Sequence, residues 1–164
     1  MKAIVVYQSI WGNTAAVARA IAEGIGGGTK ALSTTEAIGA ALKGVDLIVA
    51  GAPVLGFRLP TDDMVKAIAH QPAGKHPPDL SQPSMRSWLA ALPRGSGRSA
   101  AFETRIWWSP GGSTGAMDRA LAAAGYPPAA RACRFIVKGK DGPLREGELE
   151  KAKLWGVELA RAMK

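Results

Sequence analysis

Ala3-Ile4-Val5-Val6-Tyr7-Gln8-Ser9-Ile10-Trp11-Gly12-Asn13-Thr14 is the stretch on which the reading of this chain turns. Residues 2–7 form an apolar run rich in Ile and Val. Such a run suits a central parallel strand buried on both faces. From residue 13 the pattern changes to helical spacing, with Val17, Ile21 and Ile25 one turn apart. Gly26-Gly27-Gly28 ends that helix and permits a left-handed C-terminal turn. Between strand and helix lie Ser9, Gly12, Asn13 and Thr14. The two hydroxyls can donate to phosphate oxygens, and Gly12 allows close backbone approach. The first N–H groups of the helix lack internal partners, and the helix dipole favours an anion there. The loop has no lysine, and the GxxxxGK[ST] pattern is absent. It is therefore suited to one terminal phosphate monoester rather than a nucleoside triphosphate with magnesium. The same residues also suit a plain helix cap, and position alone leaves the two readings even.

Outward from this stretch, strands and helices alternate. Strands are expected at 29–33, Val45–Ala50, Arg98–Phe102 and Arg134–Lys138. Helices are expected at 35–42, from a Thr61 or Asp62 cap through Ala69, at Ser84–Leu92, at Ser113–Ala124 and at 146–163. The last helix shows a stripe of Leu149, Ala152, Trp155, Leu159 and Met163. The alternation predicts an α/β fold, with five parallel strands between two layers of helices. One domain over residues 1–164 is expected, with a Pro-rich surface insertion at about 70–84. Ligands of such sheets bind beyond the carboxyl ends of the strands, where strand order reverses. The loops 8–14, 52–60 and 103–112 have that position.

Composition narrows the classes. The 164 residues are 47% hydrophobic and 21% charged, an ordinary globular balance. No apolar run approaches the ~20 residues of a spanning helix, and the start lacks a secretory pattern, so a cytoplasmic protein is expected. The single cysteine, Cys133, excludes a disulfide framework and a multi-cysteine metal site. Net charge is +8. Residues 1–82 hold seven basic and six acidic groups, and residues 83–164 hold fourteen and seven. That bias suits an anionic partner. Nucleic acid is disfavoured, since no helix-turn-helix, zinc finger or RNP-like motif accompanies the charge. His70 and His76 read as solvated, Asp62-Asp63 as helix-start charge and Cys133 as core.

Val5, Val6, Tyr7, Ser9, Gly12, Thr14, Ala18 and Ile21 together match the signature of the flavodoxins at all eight positions. The chain resembles a divergent, basic member of that family. The resemblance implies a flavodoxin-like three-layer α/β/α sandwich with strand order 2-1-3-4-5. It implies FMN, with the phosphate at Ser9, Ile10, Trp11, Gly12, Asn13 and Thr14 and the ring between the other two loops. Ile10 and Trp11 stand where the family usually has hydroxyl residues, so one phosphate hydrogen bond should be missing or replaced. The second loop offers Pro53, Val54, Leu55, Gly56 and Phe57 to a ring face, with Leu55 where many flavodoxins have a stacking Trp. The third loop offers Thr104, Arg105, Trp107, Trp108 and Ser109. Adjacent tryptophans cannot both point inward from one strand, so at least one should face the loop or solvent. Gly111-Gly112-Ser113-Thr114 is a weaker second candidate for a helix-start anion site.

The function implied is electron transfer through FMN between redox proteins with acidic docking surfaces. The alternative is an FMN-dependent NAD(P)H:quinone oxidoreductase-like enzyme, which an aromatic before Gly12 favours. Arg58 and Arg105 fall in the two ring loops. At ~8 Å and an effective dielectric of ~20, one positive charge favours an added negative one by ~2 kcal/mol. That amounts to roughly 90 mV for one electron, so a weaker reductant than acidic flavodoxins is expected.

Overall fold

The computed structural model describes every residue except Ala73 and Lys75. Five parallel strands form one sheet: β1 (Ala3–Tyr7), β2 (Lys30–Ser33), β3 (Leu47–Pro53), β4 (Arg98–Ile106) and β5 (Cys133–Val137). Their order is β2-β1-β3-β4-β5, so the direction of winding reverses beside β1 and β3. In register, Val5 pairs with Ala31 and Val49, Val49 with Ala100, and Thr104 with Phe135. Among the described residues five helices flank the strands, four between them and the last after β5: α1 (Asn13–Ile25), α2 (Asp62–Ile68), α3 (Met85–Ala90), α4 (Thr114–Ala123) and α5 (Glu148–Ala162). The sandwich and its strand order are those the sequence and its resemblance predict.

Each sheet face has its own core. On one side Val5, Val49, Phe102 and Phe135 meet Val17 and Ile21 of α1 and Trp155 and Leu159 of α5. Phe102, Phe135 and Trp155 stack edge to face at 6.1–6.5 Å between centroids, the arrangement that suits aromatic quadrupoles. On the other side Val6, Ile48 and Ala101 meet Trp88 and Leu89 of α3 and Met117 and Leu121 of α4. Gly24 and Gly156 let α1 and α5 touch backbone to backbone. A Cβ at Gly24 would strike the Lys153 carbonyl, and one at Gly156 the Ile21 carbonyl.

Several boundaries differ from expectation. Residues 35–42 hold only a 3-10 turn at Gly39–Leu42. Ser33 and Glu36 bond each other's backbone N–H, Ile38 is extended, and Gly39 has φ 55, so no α-helix can run through. The strand expected at Val45–Ala50 starts at Leu47 and reaches Pro53, while Arg98–Phe102 lengthens to Ile106. The added residues pair with each other and with β5: Ala52 with Glu103, Pro53 with Thr104, and Arg105 with Ile136. Glu103, Thr104 and Arg105 are therefore strand residues, not loop residues. Cys133 opens β5 and is half-buried. In α5 the expected stripe holds for Ala152, Trp155 and Leu159, but Leu149 is 43% exposed. Buried Glu148 takes the inward place, accepting from the Ile136 N–H at 2.9 Å and from Arg145.

The segment expected as a Pro-rich insertion contains Ala73 and Lys75, which lie outside the described residues. Its later part is tied to the first loop. Asp79 N–H donates to the Ile10 carbonyl at 2.7 Å, Gln82 Oε1 accepts from Ser9 N–H, and Gln8 Oε1 accepts from Met85 N–H.

Candidate functional site

The first loop is built around one hydroxyl. Ser9 Oγ accepts from Gly12 N–H at 3.1 Å and from Ala15 N–H at 3.2 Å. It thereby ties off one open donor at the start of α1 and fixes the path of the loop. Gly12 has φ 91, a left-handed conformation natural to glycine. Ile10 is buried against Val65 and Ile68 of α2 and presents no side chain to an anion. Trp11 is half-exposed, with Lys140 Nζ 5.5 Å from its ring centre. Backbone N–H groups of Ile10, Trp11, Asn13 and Thr14 have no partner among the described residues. Four donors thus remain at the positive end of α1. Thr14 Oγ1 pairs with Thr104 Oγ1 at 2.8 Å, tying this loop to the end of β4.

A cleft of about 260 Å³ opens beside this loop, at the carboxyl ends of β1, β3, β4 and β5. It brings together Ile10, Trp11, Asn13, Thr14, Pro53, Val54, Leu55, Gly56, Phe57, Thr104, Arg105, Trp108 and Ser109 from the three loops singled out in the sequence. Ser9 and Gly12 do not line it and act by shaping the loop. Trp107 does not line it either and is 74% exposed, while Trp108 borders it at 61%. Arg58 is exposed and lies outside the lining.

The second loop is a tight turn. Leu55 and Arg58 exchange backbone hydrogen bonds at 3.0 and 3.1 Å across Gly56 and Phe57. Phe57 has φ 68, the positive φ of a non-glycine residue among those described, and is 54% exposed. Its carbonyl accepts from Gly112 N–H at 3.1 Å, which anchors the turn to the third loop. Strain held at a cleft's mouth is a common mark of binding sites.

The third wall is organised by a buried ion pair. Glu103 Oε2 meets Arg105 Nη1 at 2.7 Å. Glu103 Oε1 accepts from Ser113 and Thr114 N–H at 3.0 and 3.2 Å. The expected second anion site at 111–114 is therefore filled by the protein's own carboxylate, as a helix start favours. Arg105, 4% exposed, also donates to the Gly111 carbonyl at 2.8 Å. The expectation of two free positive charges beside a ring needs correction: Glu103 offsets Arg105, and Arg58 faces solvent.

Ile106, Val137 and Lys140 also line the cleft and were not among the expected residues. Val137 ends β5 and Lys140 follows it. The rule that ligands gather at carboxyl ends of strands would have marked them. Among the described residues no group of acidic, His or Cys side chains could hold a metal ion. No helix described is long and apolar enough to cross a membrane.

No family model and no curated protein matches the sequence. Solved structures do match the fold. A flavodoxin from the domain Archaea is 22% identical, with a TM-score of 0.66 over 99% of both chains. Oxidised Flavodoxin 1 from Bacillus cereus is 17% identical, with a TM-score of 0.64 over 98% of both. A flavodoxin, WrbA-like protein from Agrobacterium tumefaciens is 17% identical, with a TM-score of 0.58 over 99% of this chain and 96% of that one. This chain carries the flavodoxin fold in a divergent sequence.

Proposed function

We propose that the cleft binds FMN and that the protein transfers electrons between redox partners. The observation that carries this reading is the set of four N–H groups without a partner among the described residues, at Ile10, Trp11, Asn13 and Thr14, beside an apolar-walled cleft. Those donors and the α1 dipole suit the doubly charged phosphate of a riboflavin ester. Ser9 holds the loop open for it, and the Thr14 hydroxyl supplies a further polar contact. Pro53, Val54 and Leu55 at the end of β3, beside Thr104 and Ile106 of the neighbouring β4, offer a largely apolar surface that suits a flat ring. Phe57 and Trp108 at the mouth offer aromatic faces to its exposed side. FMN when bound supplies one- and two-electron chemistry, and the protein sets its potential. The basic second half of the chain favours partners with acidic docking surfaces.

A second reading is an FMN-dependent NAD(P)H:quinone oxidoreductase-like enzyme. It is favoured by Lys140 over Trp11 at the cleft's edge, a cation placed to meet a dinucleotide phosphate. The test is an absorbance spectrum of protein mixed with FMN, followed by stopped-flow mixing with NADPH. A perturbed flavin spectrum without direct reduction supports the carrier. Rapid bleaching by NADPH supports the enzyme. A spectrum identical to free FMN removes both.

A further inference from the structure

Three arginine side chains in this fold are held by hydrogen bonds to buried or half-buried acceptors, and they differ in one respect. Arg86 closes its Nε and Nη2 donors on the Leu59 carbonyl, at 3.0 and 2.8 Å. Arg145 closes the same pair on Glu148 Oε1, at 3.2 and 2.8 Å. Arg105 does not. Its Nη1 alone serves Glu103 and the Gly111 carbonyl. Its Nε is buried without a partner, and Nη2 makes no hydrogen bond among the described residues. The side-by-side donors of a guanidinium form a fork matched to two neighbouring acceptors. Leaving Nε buried and unpaired is unfavourable unless something else fills it, and Nη2 beside it has a free donor to share. Arg105 lines the cleft.

We propose that the free fork of Arg105 binds the acceptor edge of the ring lodged in this cleft: a carbonyl oxygen and its adjacent ring nitrogen. The inference rests on the FMN reading and adds a ring-side anchor to it. Glu103 is the positioning residue. It holds Nη1, and its other oxygen is fixed by the start of α4, so the fork is set before the ligand arrives. Reduction by two electrons and one proton leaves the ring one unit more negative. The two N–H donors then face a stronger acceptor, so they hold the reduced ring more tightly than the oxidised one. Glu103 cancels the long-range charge of Arg105 but leaves this short-range preference in place.

The test uses the parent protein and two variants. In the parent, the Arg105 Nε–H signal in a nitrogen-15 NMR spectrum, assigned by its loss in Arg105→Lys, should move downfield and exchange slowly when FMN is added. Arg105→Lys keeps the cation beside Glu103 but deletes the fork, and should bind oxidised FMN about tenfold more weakly. The double variant Glu103→Gln with Arg105→Met removes both charges together and keeps an acceptor for Ser113 and Thr114. It should lose about tenfold for oxidised FMN and about a hundredfold for dithionite-reduced FMN. The additional factor of ten is about 30 mV in the two-electron potential. In both variants the preference for FMN over riboflavin should stay as in the parent, because the phosphate end is untouched. An unmoved Nε–H signal, or folded variants within about twofold of the parent in both oxidation states, overturns the assignment and leaves the FMN site standing. A parent that binds no FMN overturns the FMN reading and the assignment with it.

Discussion

The two sides of the cleft differ in where their shaping bonds come from. On the phosphate side, the turn into α1 is shaped locally, with Ser9 Oγ bonding Gly12 and Ala15 three and six residues away, while Asp79 and Gln82 brace the loop from outside. On the ring side, structure is assembled over distance. Ser113 Oγ donates to the Pro53 carbonyl sixty residues earlier at 2.8 Å, and Thr104 reaches Thr14 ninety residues away. Glu103 binds both a strand neighbour and the start of the next helix. A wall held by local bonds can be read as a motif, whereas a wall held by remote bonds tolerates sequence change as long as its partners change together.

The largest effect expected from this contrast is at Glu103. Replacing it with leucine leaves the Arg105 guanidinium buried and unpaired and two α4 N–H groups unsatisfied. A loss of about 3–5 kcal/mol in urea unfolding is expected. An effect under about 1 kcal/mol would mean that the ring-side wall does not depend on its ion pair.

Ser9→Ala attacks the local wall and should cost less, about 1–2 kcal/mol, as for loss of a helix cap. The same denaturation experiment decides it, and a loss as large as that of the Glu103 variant would erase the contrast. Thr14→Val sharpens it from the side of binding. It removes the hydroxyl shared with Thr104 and should weaken FMN about tenfold, or ~1.4 kcal/mol. Thr14→Ser should restore most of that affinity in a fluorescence titration.

The smallest effect belongs to α4, outside both walls. Burial pushes the Asp118 carboxyl up from its ordinary value, opposed by Arg119, and its Oδ1 has no partner among the described residues. A raised acid is disfavoured in its ionised form, so the penalty is absent below the unfolded value of 3.8, grows between that value and the higher folded one, and is fully present above it. Asp118→Asn should therefore raise Tm by about 1–2 °C at pH 7 and leave it unchanged at pH 3, as read by thermal melts at both pH values. An equal gain at both would assign the effect to packing.

The same contrast explains what was legible in the sequence. The strand at residues 3–7, the switch to helical spacing at Asn13 and the eight-position match around Ser9 are local signals, and strand order followed from the resemblance they carry. The roles of Glu103 and Arg105 were not visible. Both read as loop residues because nothing near them shows that Arg134 and Ile136 continue the sheet alongside. The Gly111–Thr114 stretch resembled an open anion site because its carboxylate sits ten residues upstream in another element. At 35–42 the signal against a helix is itself local: Gly39 and the Ser33–Glu36 pair favour a turn. Lys140 entered the cleft through topology, not motif.

The central claim is that the four open N–H groups of residues 10–14 grip a phosphate. Isothermal titration of the protein with FMN and with riboflavin tests it most directly. One FMN per chain, bound at least about a hundredfold more tightly than riboflavin, is the expected result. Equal affinity for the two, or no heat with either, would contradict it.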